Sequence, residues 1–475
     1  ATMKSMNASW LGNLVPGGLA VVGGLLIVAW MNTRPPHVAP LRVPGMDGRD
    51  RALGSAEIAP PEAGEPVFSD GRPSQAIASG SWPCFRGPNR DGIGVGSVAL
   101  ARKWPDRGPQ VLWTVELGPG HAGAAVADGR LFVLDYDVEA QADTMRCLSP
   151  DDGKEIWRNA YPVELVEWHG MSRTVPAVAD GRVVSLGPKC HVACWDTQSG
   201  ECRWIIDLAA QYQATVPQWY AGQCPLIDQG RVILAPSGTS FMIAVDLESG
   251  DVVWESKKVS NWEMTHSSIA IMELAGRRAY LYCGSRGVAA VAADDGSILW
   301  DSTEWAGTMA TCPTPVVVDE RRVFFCAGYA AGSLMMQFDA GGGAVAAQPL
   351  FRLAPERFEA EQHTPILYEG HLFGARTKAG GNQLVCLDLE GNEVWNSGTD
   401  KFERGPYLIA DGLIFAMDSR GLLTLAEASV EAYKPLDKFQ VFDDGHDAWG
   451  PMALVEGRLF VRDLTRMACL DVAEK

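Results

Sequence analysis

Ala124 to Leu134 reads AAVADGRLFVL, and Met145 to Trp157 reads MRCLSPDDGKEIW. Together they spell one unit: a strand, an Asp-Gly turn, a second strand, a third, a Gly turn, and a fourth strand ending in Trp. Asp-Gly is hairpin chemistry, because glycine takes positive φ at no steric cost. The apolar run Leu131-Phe132-Val133-Leu134 has no polar alternation, as befits a strand buried on both faces. The phrase returns as PAVADGRVVSL (176–186) with VACWDTQSGECRW (192–204), and as PLIDQGRVILA (225–235) with IAVDLESGDVVW (243–254). A fourth copy ends VAAVAADDGSILW at Trp300. The fifth opens PTPVVVDERRVFFCAG (313–328) and has no Trp near Leu350. The sixth gives PILYEGHLFGA (365–375) and LVCLDLEGNEVW (384–395), the seventh YLIADGLIFAM (407–417), and the eighth MALVEGRLFVR (452–462) with MACLDV (467–472).

The closing tryptophans stand at 157, 204, 254, 300 and 395. Units of this length with four short strands are propeller blades. The eighth copy ends after three strands. The missing one stands ahead of the first copy, where Gln110-Val111-Leu112-Trp113 carries the same ending. The expectation is an all-β, eight-bladed β-propeller of four-stranded antiparallel blades over 82–475, closed by a strand near 110–117.

Composition agrees with a large folded unit. Of 475 residues, 47% are hydrophobic and 21% charged, with 16 Trp and 51 Gly. The net charge of −18 repels phosphate backbones and argues against nucleic-acid partners. The 11 cysteines include no CxxCH or CxxC motif, and Cys190/Cys194 lack a second pair that would suggest a metal. Cys147, Cys194, Cys386 and Cys469 share one repeat slot, two residues before the Asp or its equivalent, which reads as packing.

Upstream lies a different chemistry. Leu11 to Met31 (LGNLVPGGLAVVGGLLIVAWM) carries no charge and suits a membrane-spanning helix at about 11–31, with Trp10 and Trp30 at its edges. No A-x-A cleavage site follows, so the run is read as an anchor over 1–31 in contact with the lipid bilayer. Asn13, Gly17, Ala20 and Gly24 share a helical face on which another helix can pack closely. The stretch 32–81 holds Pro35, Pro36, Pro40, Pro44, Pro60, Pro61, Pro66 and Pro73 and reads as an extended Pro-rich linker.

The repeated phrase ending in Trp, together with Trp82-Pro83-Cys84-Phe85-Arg86-Gly87-Pro88-Asn89-Arg90-Asp91-Gly92, resembles the pyrroloquinoline-quinone (PQQ)-binding-like propeller repeats, in the form seen in planctomycete-type bacteria. The same repeat is found in quinoprotein alcohol dehydrogenases and in the propeller lipoprotein of the outer-membrane β-barrel assembly machinery. The resemblance implies that Trp113, Trp157, Trp204, Trp254, Trp300 and Trp395 dock neighbouring blades. It implies an extracytoplasmic location at the cell inner membrane, in the periplasm. Lys4 ahead of the apolar run and Arg34 and Arg42 after it do not set that orientation by charge.

Relatives that are dehydrogenases hold PQQ in the central funnel with Ca²⁺, an Asp base and two adjacent disulfide-bonded cysteines. No Cys-Cys pair occurs here. PQQ and Ca²⁺ are therefore not expected as cofactors, and no metal site is expected. The funnel rim is legible nonetheless. Alignment on the Asp-Gly-Arg turn places His121, Arg173, Gly222, His266, Thr311 or Cys312, His363, Arg404 and Trp449 where each innermost strand begins. His121, Arg173, His266, His363, Arg404 and Trp449 are the candidate ligand-binding residues, suited to an anion or a peptide. The favoured reading is a scaffold or accessory subunit of a membrane protein complex, with no catalytic residues assigned. The alternatives are a PQQ-dependent alcohol or sugar dehydrogenase and a carbohydrate- or ligand-binding sensor.

Overall fold

The computed structural model describes residues 59–166, 170–341 and 344–475. The proposed helix at 11–31, with Asn13, Gly17, Ala20 and Gly24, lies outside the described residues, as does the linker up to 58. Among the described residues, no helix is long and apolar enough to cross a membrane.

Eight antiparallel sheets follow one another along the chain. Blade one runs Ala125–Ala127, Arg130–Asp137, Ala142–Leu148 and Glu155–Pro162, from the innermost strand outward. Blades two to seven repeat this order over 177–207, 226–255, 270–302, 316–353, 366–396 and 407–440. Blade eight takes three strands from 453–471, and its outermost strand is Gln110–Glu116. That strand pairs antiparallel with Arg466–Asp471, Trp113 opposite Cys469. The ring thus has no open edge between first and last blades. The second strand of blade one is buried at Leu131, Phe132, Val133 and Leu134, because the adjacent blades cover it on both faces.

The tryptophans join blade to blade. Each indole N–H donates to a carbonyl of the next blade's turn: Trp113 to Pro150, Trp157 to Thr197, Trp204 to Leu247, Trp254 to Ala293 and Trp395 to Ser429, at 2.9–3.1 Å. Trp300 instead meets Phe338 of blade five edge-on, with 4.8 Å between ring centroids. Trp204 and Trp300 are half-buried and the other four are buried. The turn glycine is part of the socket: a Cβ at Gly200 would lie 2.7 Å from the Trp157 ring. In blade five, where the Trp is missing, Phe351 occupies the same socket against Gly391.

Two segments expected outside the blades are attached to them. Within the described part of the Pro-rich stretch, Val67–Phe68 adds a fifth strand to the outer edge of blade one. Ser74 N donates to the Gly129 carbonyl at 2.7 Å, and Ile77 is buried. The proline-rich composition does not prevent this, since carbonyls and the remaining N–H groups still pair. The following segment, 82–94, crosses the central channel. Trp82 bridges Val126 of blade one, and the Pro83 carbonyl accepts from Val178 N of blade two. Arg90 donates to the Ile227 carbonyl of blade three, and Arg86 to Pro365 O ahead of blade six. Ile93–Gly94 pairs in parallel with the innermost strand of blade seven. The segment is a plug, and it converts the channel into a closed-ended cup.

Candidate functional site

The innermost strands begin at one end of the channel and run to their Asp-Gly turns at the other. Residues ahead of the strands therefore ring one mouth. There the structure gathers His121, Arg173, Gly222, His266, Cys312, His363, Arg404 and Trp449 around a single cavity of about 370 Å³. Thr311 is buried and does not line it. Phe85 of the plug lines the same cavity from below.

Among the further lining residues that escaped the repeat alignment are Trp219, Tyr329 and Gln362. Trp219 and Tyr329 stack with centroids 5.9 Å apart and planes 18° from parallel. Both have left-handed backbones, Trp219 at φ 66° followed by Tyr220 at 73°, and Tyr329 at 59° followed by Ala330 at 67°. Consecutive non-glycine residues in this region cost about 1–3 kcal/mol each, and persist only where the surroundings hold them. Arg173 Nε donates to the Trp219 carbonyl, and His266 Nε2 lies 2.8 Å from the Gln218 carbonyl. A carbonyl only accepts, so His266 carries its proton on Nε2. Two of the rim residues thus clamp the loop that aims Trp219. The aromatic cluster around 217–220 lies outside the repeat register, and its Trp-Tyr pair is the only trace of it in the sequence.

On the opposite wall, Trp449 lies between two partners. His121 stacks on it at 5.1 Å, and the Arg404 guanidinium sits 5.5 Å from its ring centre. Arg404 is also ion-paired with Glu361. Trp449 Nε1 donates to Ser419 Oγ at 2.9 Å, which fixes its plane. The wall is therefore aromatic, and the charges around the funnel are Arg173 on the Trp219 side and the Arg404–Glu361 ion pair on this one.

Burial sets the titration of this site. It lowers the pKa of His266 to about 4, with Arg173 adding to the effect, and lowers that of His363 to about 4. Burial likewise brings Arg173 down to about 10 and pushes the Cys312 thiol up to about 12. At neutral pH these two imidazoles are uncharged and are weak proton acceptors, poorly matched to general-base work. His363 Nε2 is buried without a hydrogen-bond partner, which leaves a neutral polar group for a ligand.

A quinone-bound cation needs a set of carboxylate or amide oxygens. Among the described residues no three His, Cys, Asp or Glu side chains converge to hold a metal, and Glu361 is engaged by Arg404. All eleven cysteines are free thiols. The described funnel does not supply the donor set of a cation-assisted quinone site, and no chemical step follows from one.

The sequence matches the family profile of the outer membrane protein assembly factor BamB over residues 103–186 and 141–397. The chain belongs to the BamB family. No curated protein sequence matches it. Among solved structures, BamB from Moraxella catarrhalis superposes with TM-score 0.54 at 14% identity, over 76% of this chain and 99% of that one. A europium-containing methanol dehydrogenase gives 0.58 at 13% identity, covering 81% and 90%. The quinohemoprotein alcohol dehydrogenase ADHIIG from Pseudomonas putida HK5 gives 0.57 at 12%, covering 86% and 84%. At these identities the likeness speaks for the propeller fold that the BamB family shares with quinoprotein enzymes, and for nothing finer.

Proposed function

We propose that this chain is a binding subunit of a membrane-associated protein complex, tethered by its apolar segment at 11–31 with the propeller outside the cytoplasm, and that the funnel receives part of a partner protein. The observation that carries this reading is the stacked pair Trp219–Tyr329, both in left-handed backbone, with the Trp219 loop clamped by Arg173 and His266. Bulky aromatics in such backbone outside the hairpin turns are the kind of strain that clusters at binding sites. Rigid aromatics in a concave site are the residues that dominate protein–protein affinity. Membership of a family described by its assembly factor supports the same reading. Met309, 58% exposed beside the lining residue Ala310, extends the apolar surface onto the rim.

The test is site-specific cross-linking in native membranes. A photoreactive residue at Met309 should capture one discrete partner, and the same residue at Val394, on the exposed outer edge of blade six, should not. Trp219→Ala should abolish capture while the far-UV spectrum and membrane fractionation stay unchanged. Equal capture from both positions, or capture that survives Trp219→Ala, would move the interface off the funnel.

A further inference from the structure

Beneath Phe85 lies a second cavity of about 300 Å³, on the far side of the plug from the funnel. Its lining comes from later positions on the innermost strands of blades three to six, nearer their turns, and from the plug itself. Two arginines of the plug, Arg86 and Arg90, face it together. Neither ion-pairs with a carboxylate among the described residues. Arg86 donates to the carbonyls of Asp91 and Pro365, and Arg90 to that of Ile227. Arg90 Nε is buried with no partner, and so is Thr314 Oγ1, which belongs to another lining residue.

The neighbouring acids are otherwise committed. Asp228 is held by Arg278 at 2.8 and 2.9 Å and by Tyr280 at 2.7 Å. Asp91 accepts from Ile93 N and offsets one of the two guanidinium charges. Asp228 also lies within electrostatic reach of Arg90, so the guanidinium charges are offset, but Arg90 Nε and Thr314 Oγ1 keep no hydrogen-bond partner. Buried donors without an acceptor are costly, and a carboxylate, which only accepts, is a group that would satisfy both. The rest of the lining, including Leu226, Ile269, Ile271 and Val316, is apolar.

We infer that this cavity binds a small monocarboxylate, its head on Arg86 and Arg90 and its apolar body against the walls of blades three to five. Two guanidinium groups already offset by Asp91 and Asp228 suit a single carboxylate head, and the small apolar walls suit a short aliphatic or aromatic body. The site is independent of the funnel reading: Phe85, Cys224 and Ser268 border both cavities, but Arg86, Arg90 and the apolar walls belong to this one alone.

Hexanoate is the probe, titrated calorimetrically into the full-length protein, with hexanol and hexylammonium as uncharged and cationic counterparts. Hexanoate should bind, and the two counterparts should not. Arg90→Gln should weaken hexanoate binding by roughly tenfold or more, the usual effect of losing a charged hydrogen-bond partner. Ile271→Trp should block binding by filling the cavity, with both arginines kept. Thermal melts establish that each variant is folded; if Arg90→Gln is not, Ile271→Trp and the three-ligand comparison decide. Absence of hexanoate binding, equal binding of hexanol, or unchanged binding in a folded variant overturns the assignment.

Discussion

Asp143 is fully buried between blades one and two, and neither carboxylate oxygen has a hydrogen-bond partner. Tyr161 of its own blade and Gly187 of the next converge on it; a Cβ at Gly187 would lie 2.3 Å from Asp143 Oδ2 and 2.5 Å from the Tyr161 hydroxyl. Burial raises the Asp143 pKa to about 7, against the pull of His191, Tyr161 and Lys189. The usual carboxylate pattern is therefore reversed. The folded state holds this proton more tightly than the unfolded state, so Asp143 favours folding below about pH 4. That advantage is lost as the pH rises from about 4 towards 7. Asn keeps the shape without the ionisation. Asp143→Asn should thus stabilise the propeller at pH 8 by about 1–3 kcal/mol, the cost of an unsatisfied buried polar group. The difference should shrink to near zero at pH 4. Urea unfolding of both proteins across this range checks it, and a gain that is equal at pH 4 and pH 8 would assign the effect to packing alone.

At the scale of the blade, the four strands and the closing Trp form a unit that is complete only against its neighbour. Trp254 shows how: its indole donates to Ala293 O at 3.0 Å and covers Gly296, where a Cβ would come within 2.5 Å of the ring. Trp254→Ala should cost about 3–5 kcal/mol in equilibrium unfolding. Trp204→Ala, half-buried, should cost clearly less, and equal losses would mean that burial does not set the ranking. These sockets were legible because Asp-Gly and Trp recur in register. Phe351 was not, since one aromatic replaced another and erased the sign by which its blade was counted. The six rim residues were legible from the same register. Trp219 and Tyr329 were not, because backbone strain and stacking join loops of blades three and five that share no spacing. The plug was hidden for a related reason: its partners Val126, Val178, Ile227, Pro365 and Ile409 are spread over nearly 300 residues.

For the whole molecule, three successive stretches near the described N-terminal end fasten the ring. Val67–Phe68 extends blade one, 82–94 plugs the channel, and Gln110–Glu116 completes blade eight. Their removal should not be equivalent. A chain starting at residue 59 keeps all three and should unfold in one cooperative transition. A chain starting at residue 95 loses the plug and with it Trp82 and Ile77, both buried. It keeps the closing strand, so it should remain a monomer that is weaker by at least the ~3–5 kcal/mol of a buried Trp. A chain starting at residue 118 also loses Trp113 from its socket against Gly153 and leaves Arg466–Asp471 with a free edge. An unpaired strand of buried sequence templates association, so this chain should aggregate rather than merely soften. Size-exclusion chromatography with light scattering separates the three outcomes, and thermal melts rank the first two. A monodisperse monomer from residue 118 would mean that blade packing alone closes the ring, and the closing strand would then be an addition to a propeller already stable without it.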